Sequence, residues 1–143
     1  MRTITRQEIV PPLHCGLIAV APHAANGTLF PQPWVLGIGG RVLLDAVCGA
    51  GWRLVLKAGS ELATSRAIVA QALETGLQVI RIAAADEEMA PDAIREESGV
   101  VSRWFGQHEC AAAIVRPDHY VYGVASELPA LANVLSELAG RLQ

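Results

Sequence analysis

Short apolar runs of strand length alternate with segments of helical period through the second half of the chain. Residues 52–56 (WRLVL) are β-branched and aliphatic, which predicts a central strand, and residues 77–84 (LQVIRIAA) predict a second strand. Between them, Ser60 can cap a helix that closes at Thr75 and Gly76. The expected buried face of this helix consists of Leu62, Val69 and Leu73. A strand, a helix and a strand at this spacing predict a βαβ unit with parallel strands.

The rest of the chain predicts a linking helix, a hairpin and a final helix. One apolar helix face is expected from Val100, Val101, Trp104 and Phe105. Residues 111–115 and 120–125 predict two antiparallel strands, and residues 116–119 (RPDH) predict the bend between them. Ser126 would cap the final amphipathic helix. Its apolar face is expected from Leu128, Leu131, Leu135, Leu138 and Leu142.

The core order is therefore β-α-β, a linking helix and β-β-α. This order predicts an α/β, thioredoxin-like fold, in which a mixed four-stranded sheet carries helices on both faces. Residues 1–34 are rich in Pro, Gly, Asn and His, and they predict an irregular arm that packs across its own domain or a neighbour. Residues 35–143 form the predicted domain, which opens with a hairpin turning at Gly39 and Gly40.

An acidic, helix-prone segment lies in the middle of the chain. Its carboxylates are Asp86, Glu87, Glu88, Asp92, Glu96 and Glu97. No histidine joins them at a ligand spacing, so we interpret them as a solvated face and not as a metal site. The histidines themselves never stand three or four positions apart, and a metal site would need them to assemble over long range.

Composition excludes several classes of protein. With 52% hydrophobic and 17% charged residues, the 143-residue chain predicts one folded domain with a real core. A net charge of -3, with Lys57 as the single lysine, argues against a nucleic-acid partner. Residues 9–40 carry no charge, but prolines interrupt them too often for a membrane-spanning helix. An odd cysteine count without a signal peptide suits the reducing cytoplasm.

The cysteines do not support dithiol chemistry. A thioredoxin-type oxidoreductase needs a thiol at the turn after its first core strand, where the helix N-terminus stabilises the thiolate. Here residues 57–62 (KAGSEL) contain no cysteine, so we predict a domain that lacks C-x-x-C. Cys48 precedes that strand, and a small apolar residue in a packed loop is favoured there over a peroxidatic or redox-sensing thiol. Cys15 and Cys110 carry still less weight as reactive thiols.

Arg116, Asp118 and His119 place a base and an anion-binding group at one bend. No nucleophile or glycine-rich loop accompanies them, and the turn preferences of Pro117 and Asp118 account for the sequence. We therefore predict that Arg116, Pro117 and Asp118 form a structural turn. No residue of this chain is predicted to be catalytic, to bind a cofactor or to ligate a metal.

Three segments in order resemble the C-terminal domain of FAD-dependent aromatic hydroxylases, the class A flavoprotein monooxygenases related to phenol hydroxylase and 3-(3-hydroxyphenyl)propionate hydroxylase. The segments are residues 27–35 (GTLFPQPWV), 41–56 (RVLLDAVCGAGWRLVL) and 112–125 (AAIVRPDHYVYGVA). The Arg116-Pro117-Asp118 turn before an aromatic-rich strand is the most specific part. The chain departs from the family pattern at Ala46, where relatives often have a second acidic residue, and at His119, where many have glycine or another residue.

The resemblance implies a non-catalytic, thioredoxin-like domain that follows FAD-binding and substrate domains in a parent enzyme. That parent would hydroxylate an aromatic ring with NAD(P)H, molecular oxygen and FAD, while this chain holds no cofactor. The implied role is packing against the parent's other domains or homodimerisation, in the cytoplasm and without a nucleic-acid or membrane partner. Two alternatives stay open: a divergent single-cysteine peroxiredoxin-like protein that uses Cys48, and a free-standing thioredoxin-fold binding module.

Overall fold

The computed structural model describes residues 18–20, 22–37, 40–44, 51–83, 93–96 and 99–142. The strands in this part of the chain are β1 (Trp34–Gly37), β2 (Gly40–Leu43), β3 (Arg53–Lys57), β4 (Gln78–Ala83), β5 (Ile94–Arg95), β6 (Ala112–Val115) and β7 (Val121–Ala125). The helices are α1 (Glu61–Thr64), α2 (Arg66–Thr75), α3 (Val100–His108) and α4 (Leu128–Arg141). None of these helices is long and apolar enough to cross a membrane.

The main sheet is mixed and has the strand order β5-β4-β3-β6-β7. Strand β3 is parallel to β4 and antiparallel to β6, and β6 is antiparallel to β7. The predicted α/β class and the order β-α-β, linking helix, β-β-α are confirmed. The sheet has five strands and not four, because the two-residue β5 adds a parallel edge through the pair Ile82 and Ile94.

Strands β1 and β2 form a separate antiparallel hairpin, as expected from the sequence. Its last paired residues are Gly37 and Gly40. Gly40 therefore belongs to a strand and not to the turn that the sequence predicted, and Gly39 lies outside the described residues.

Alternation along the strands builds one core on each face of the main sheet. Leu54 and Leu56 of β3 pack with α1, α2 and α4 on the first face. Val55 points the other way and packs with α3 and with Ala25, Phe30, Val35 and Leu44 on the second face. Ala19 lies in the first core and Ala25 in the second, so the arm passes from one face to the other between these two residues.

The arm covers the outer edge of β7 with main-chain hydrogen bonds. Ala19 N donates to Tyr122 O at 2.8 Å, and Gly27 N donates to Val121 O at 2.8 Å. Val121 N in turn donates to Thr28 O at 2.8 Å. These bonds occupy backbone groups that an edge strand would otherwise expose to a second chain. The proposed domain boundary at residue 34 stays a prediction.

The helix expected after β3 is broken at Ser65, and the break corrects the predicted buried face. Ser60 caps α1 by accepting a hydrogen bond from Ala63 N at 3.3 Å, as predicted, but Ser65 caps α2 in the same way through Ile68 N at 3.3 Å. This second start changes the phase of the helix. Leu62, Ile68 and Ala72 are buried, whereas Val69 is half-buried and Leu73 is 59% exposed.

Glu96 corrects the interpretation of the acidic segment as a solvated face. Its side chain is fully buried, and its two oxygens accept hydrogen bonds from Val101 N and Ser102 N, both at 2.8 Å. A carboxylate in this position satisfies the free N–H groups at the start of α3. The helix-prone segment contains strand β5 directly before Glu96, and the other acidic residues of that segment lie outside the described residues.

Helix α4 begins one residue later than the sequence suggested. Glu127, and not Ser126, occupies the N-cap position, and it makes no side-chain capping bond. Pro129 stands in the first turn, where the missing N–H costs nothing. The predicted apolar face is otherwise present, with Leu131, Leu135 and Leu138 buried.

Candidate functional site

The turn after β3 occupies the position where a thioredoxin-type enzyme would carry its thiol. Here the Ser60 hydroxyl donates to Lys57 O at 2.6 Å and accepts from Ala63 N, so its hydrogen bonds serve the turn and the helix cap. Gly59 has φ 85°, a left-handed conformation that favours glycine. The local bonds make this turn a structural start for α1 and engage the Ser60 hydroxyl.

Cys110 borders the same turn from the neighbouring chain segment, in a cleft of about 320 Å³ with Lys57 and Ser60. Its thiol is buried among apolar side chains. Burial raises the pKa of Cys110 to about 11, so the thiol stays protonated at neutral pH. Because the thiolate is the nucleophilic form, this shift lowers the reactivity of Cys110.

The remaining cysteines and histidines do not assemble into one site among the described residues. Cys15, Cys48 and His14 lie outside the described residues, so the structure says nothing of their geometry. The rings of His23 and His108 approach to 6.1 Å between centroids, although they are far apart in sequence. Among the described residues there is no group of three or more side chains that could hold a metal ion.

The Arg116-Pro117-Asp118 segment forms the bend between β6 and β7. His119 N donates to Arg116 O at 2.9 Å and Arg116 N donates to Tyr120 O at 2.8 Å, which closes a hairpin turn. Across the turn, Arg116 Nη2 lies 2.6 Å from Asp118 Oδ2. Both charges are thus engaged inside the turn. The absence of a catalytic role for these residues stays a prediction.

A part-buried contact between Arg53 and His119 was not predicted from the sequence. Arg53 is only 3% exposed, and its Nη2 lies 2.8 Å from His119 Nδ1. A guanidinium can only donate, so His119 Nδ1 is the acceptor. Arg53 Nε has no hydrogen-bond partner among the described residues. His119 holds its place in a left-handed conformation, with φ 73°.

The sequence carried only a weak signal for this contact. Arg53 stands in the apolar run of β3, where alternation directs it to the same face as Val55. An arginine on a buried face requires a partner, but its partner His119 is 66 positions away. Only the antiparallel pairing of β3 with β6 brings the turn after β6 close to the start of β3.

Three side chains fasten the first described residues to α4, and we call them the arm clamp: Tyr122, Glu137 and Arg141. The Glu137 oxygens accept from Val20 N at 3.2 and 3.0 Å, and Tyr122 Oη donates to Glu137 Oε1 at 2.9 Å. Arg141 donates to Ile18 O and lies 5.8 Å from the centroid of the Tyr122 ring. Burial, and then the Glu137 carboxylate, raises the pKa of Tyr122 to about 12, so the phenol remains a donor. These bonds therefore hold residues 18–20 beside α4.

An apolar groove runs along the outer side of α2, and we call it the α2 groove. It has a volume of about 460 Å³. Val69, Leu73 and Ala63 form its apolar wall, and Arg66 and Arg81 border it. Arg81 Nε donates to Ala63 O at 2.9 Å, which joins β4 to α1 beneath the groove. The groove offers an apolar surface with a positive border.

Sequence comparison places most of the chain in one family. The model of the family described as HcaD C-terminal domain matches residues 27–140. A probable NADH-specific resorcinol 4-hydroxylase of Rhodococcus jostii (strain RHA1) is 37% identical over 131 residues, which cover 90% of this chain and 23% of that protein. The 3-(3-hydroxy-phenyl)propionate/3-hydroxycinnamic acid hydroxylase of Klebsiella pneumoniae (strain 342) is 32% identical over 134 residues, or 80% of this chain and 23% of that protein. The chain thus spans less than a quarter of the length of these relatives.

Solved structures of flavin enzymes contain a similar fold. Aklavinone-11 hydroxylase, in a ternary complex with FAD and aklavinone, matches with a TM-score of 0.56 and 21% identity over 87% of this chain and 25% of that chain. The flavin-dependent monooxygenase PieE, in complex with FAD and substrate, matches with a TM-score of 0.57 and 20% identity over 88% of this chain and 24% of that chain. At these identities the likeness to solved structures concerns the fold alone. Membership of the family rests on the match of the family model to residues 27–140. The chain belongs to the HcaD C-terminal domain family.

Proposed function

We propose that this chain is the non-catalytic C-terminal domain of a flavin-dependent aromatic hydroxylase. The parent enzyme would bind FAD, oxidise NAD(P)H and insert an oxygen atom from molecular oxygen into a phenolic ring. This domain would hold neither cofactor. Its role would be to pack against the FAD and substrate domains of the parent or to join two parent subunits, in the cytoplasm.

The family match at residues 27–140 carries this proposal. Two relatives in different organisms, each matched along at least 80% of this chain, are hydroxylases named for phenolic substrates. In both, the matching part is 23% of the protein, so most of each hydroxylase lies outside the shared domain. A shared domain of this size in enzymes of one reaction class supports a common supporting role.

The geometry of the described side chains agrees with a supporting role. Arg116 is engaged by Asp118, the Ser60 hydroxyl by a helix cap, and the Cys110 thiol is kept protonated by burial. Catalysis would need at least one such group to be free, ionisable near neutral pH and directed into a cleft. Each of these groups instead stabilises the fold that contains it.

The test is the coding frame upstream of this chain, together with the mass of the polypeptide made in the native cell. We expect the frame to continue into a glycine-rich strand-turn-helix of a flavin domain, and the native polypeptide to be of hydroxylase length. A frame that is closed upstream, with a native polypeptide of 143 residues, would contradict the proposal. Peroxide consumption that is lost in Cys48→Ser would favour the peroxiredoxin-like alternative instead.

A further inference from the structure

We propose that the α2 groove is the docking surface for the upstream part of the parent hydroxylase. This inference rests on the proposed function. The occupant would be an apolar patch of the flavin or substrate region, bordered by carboxylates that face Arg66 and Arg81. Leu73 would lie at the centre of the contact.

The apolar wall of the groove is a consequence of the helix break at Ser65. The break turns Ile68 and Ala72 toward the sheet and leaves Val69 and Leu73 on the outer side of α2. Leu73 is 59% exposed, and it lines a concave surface of about 460 Å³ with Val69. Single exposed leucines are common on proteins. A concave apolar surface formed by residues four positions apart on one helix is instead typical of a docking site.

The position where the chain reaches the domain indicates which face meets the upstream region. Ile18 and Val20 are bonded to Arg141 and Glu137 of α4. Helix α4 is joined to α2 by Gln71, whose Nε2 donates to Ala132 O at 3.1 Å and to Ser136 Oγ at 3.0 Å. Residues 18–20 therefore lie on the face of the sheet that carries α2 and α4.

The opposite face of the sheet, like the first, is covered by elements of this chain. Helix α3 packs there with Ala25, Phe30, Val35 and Leu44, and Phe30, Trp104 and Phe105 are buried. The exposed large apolar side chains among the described residues are Val20, Leu29, Leu43, Leu73 and Leu142. Three of them belong to the face that carries α2 and α4. Leu73 lies on α2, Leu142 follows the last residue of α4, and Val20 is bonded to Glu137 of α4. Since this chain spans only 23% of its relatives, the proposed occupant belongs to a much larger body.

The experiment measures the accessibility of a thiol placed in the groove. Leu73→Cys is made both in the 143-residue chain and in the full-length polypeptide, and maleimide modification of the peptide containing residue 73 is followed by mass spectrometry. Because Leu73 is exposed, the substitution leaves both cores intact. We expect rapid modification in the chain alone and modification at least about tenfold slower in the full-length, flavin-bound protein, as for a thiol removed from solvent.

Gln107→Cys is the matched control, because Gln107 is also exposed and lies on α3, on the opposite face. It should react equally in both proteins. Equal reactivity of Leu73→Cys in the two proteins, with FAD bound by the longer one, would overturn the docking site and leave the proposed function intact. Two further outcomes would also overturn the proposed docking site. Protection of residue 73 in the chain alone that does not depend on protein concentration would assign the groove to residues 1–17. Protection that increases with concentration would assign it to a second copy of the chain. A closed coding frame would overturn both proposals.

Discussion

At the residue scale, His119 combines an unfavourable backbone conformation with a part-buried hydrogen bond to the buried Arg53. Its φ of 73° lies in the left-handed region, which costs a residue with a Cβ about 1 kcal/mol relative to glycine. In return, His119 Nδ1 accepts from the guanidinium of Arg53, which is almost fully buried. An unsatisfied buried donor on a charged group costs more than the strain, so the contact explains why histidine is tolerated at this turn.

This balance predicts that the effect of His119→Gly depends on Arg53. In the native background, His119→Gly should lower the free energy of unfolding by about 1 kcal/mol, since the lost bond outweighs the relieved strain. In an Arg53→Met background the bond is already absent, and the same change should raise the free energy of unfolding by about 1 kcal/mol. Urea unfolding of the four variants measures both values. The same change in both backgrounds would show that the contact contributes nothing.

Tyr122 gives a second prediction at this scale, through pH. Burial and the Glu137 carboxylate raise the pKa of Tyr122 from its ordinary value of 10 to about 12 in the folded chain, so folding favours the protonated form. The stabilisation is complete below pH 10 and is lost as pH rises through about 12. Between pH 10 and pH 12, the free energy of unfolding should therefore fall less steeply in Tyr122→Phe than in the native chain. The difference in phenolate absorbance between the native chain and Tyr122→Phe reports the ionisation of Tyr122, and it should rise near pH 12. A rise that is complete by pH 10 would contradict the hydrogen bond from Tyr122 to Glu137.

At the element scale, the sequence was a good guide to which helices and strands form, and a poorer guide to which of their faces are buried. Apolar period and turn residues were sufficient for β3, β4, the β6–β7 hairpin and α4, because those signals are local. The phase of α2 was wrong because two serines, Ser60 and Ser65, can each start a helix, and pattern alone does not choose between one helix and two. Burial of Glu96 was missed because a carboxylate capping the helix that follows looks the same in sequence as one in solvent.

Glu96 therefore carries the prediction for helix α3. Glu96→Gln keeps the size of the side chain but points an amide N–H₂ at one of the two main-chain donors, which are Val101 N and Ser102 N. We expect a loss of about 1–3 kcal/mol in the free energy of unfolding and faster hydrogen exchange at these two amides. Glu74→Gln on the exposed side of α2 is the control and should change neither quantity. Equal stability of the two variants would mean that Glu96 does not support α3.

At the scale of the whole molecule, the fold class and the family followed from the sequence, while the contacts that assemble the candidate surfaces did not. The order of the elements and the Arg116-Pro117-Asp118 turn are local features, and both were visible before the structure. The Arg53–His119 contact and the bonds from Glu137 and Arg141 to residues 18–20 join residues 66 to 123 positions apart, and only the fold brings them together. The α2 groove depends on the phase of α2 and was predicted as core.

The central claim is that this domain supports a flavin hydroxylase without taking part in its chemistry. The most direct measurement is titration of the purified 143-residue chain with FAD, followed by NADH oxidation in the presence of resorcinol or 3-(3-hydroxyphenyl)propionate. We predict no saturable change in the flavin spectrum and no NADH oxidation above that of free FAD. Saturable FAD binding by this chain, or NADH oxidation that depends on the phenol, would contradict the claim.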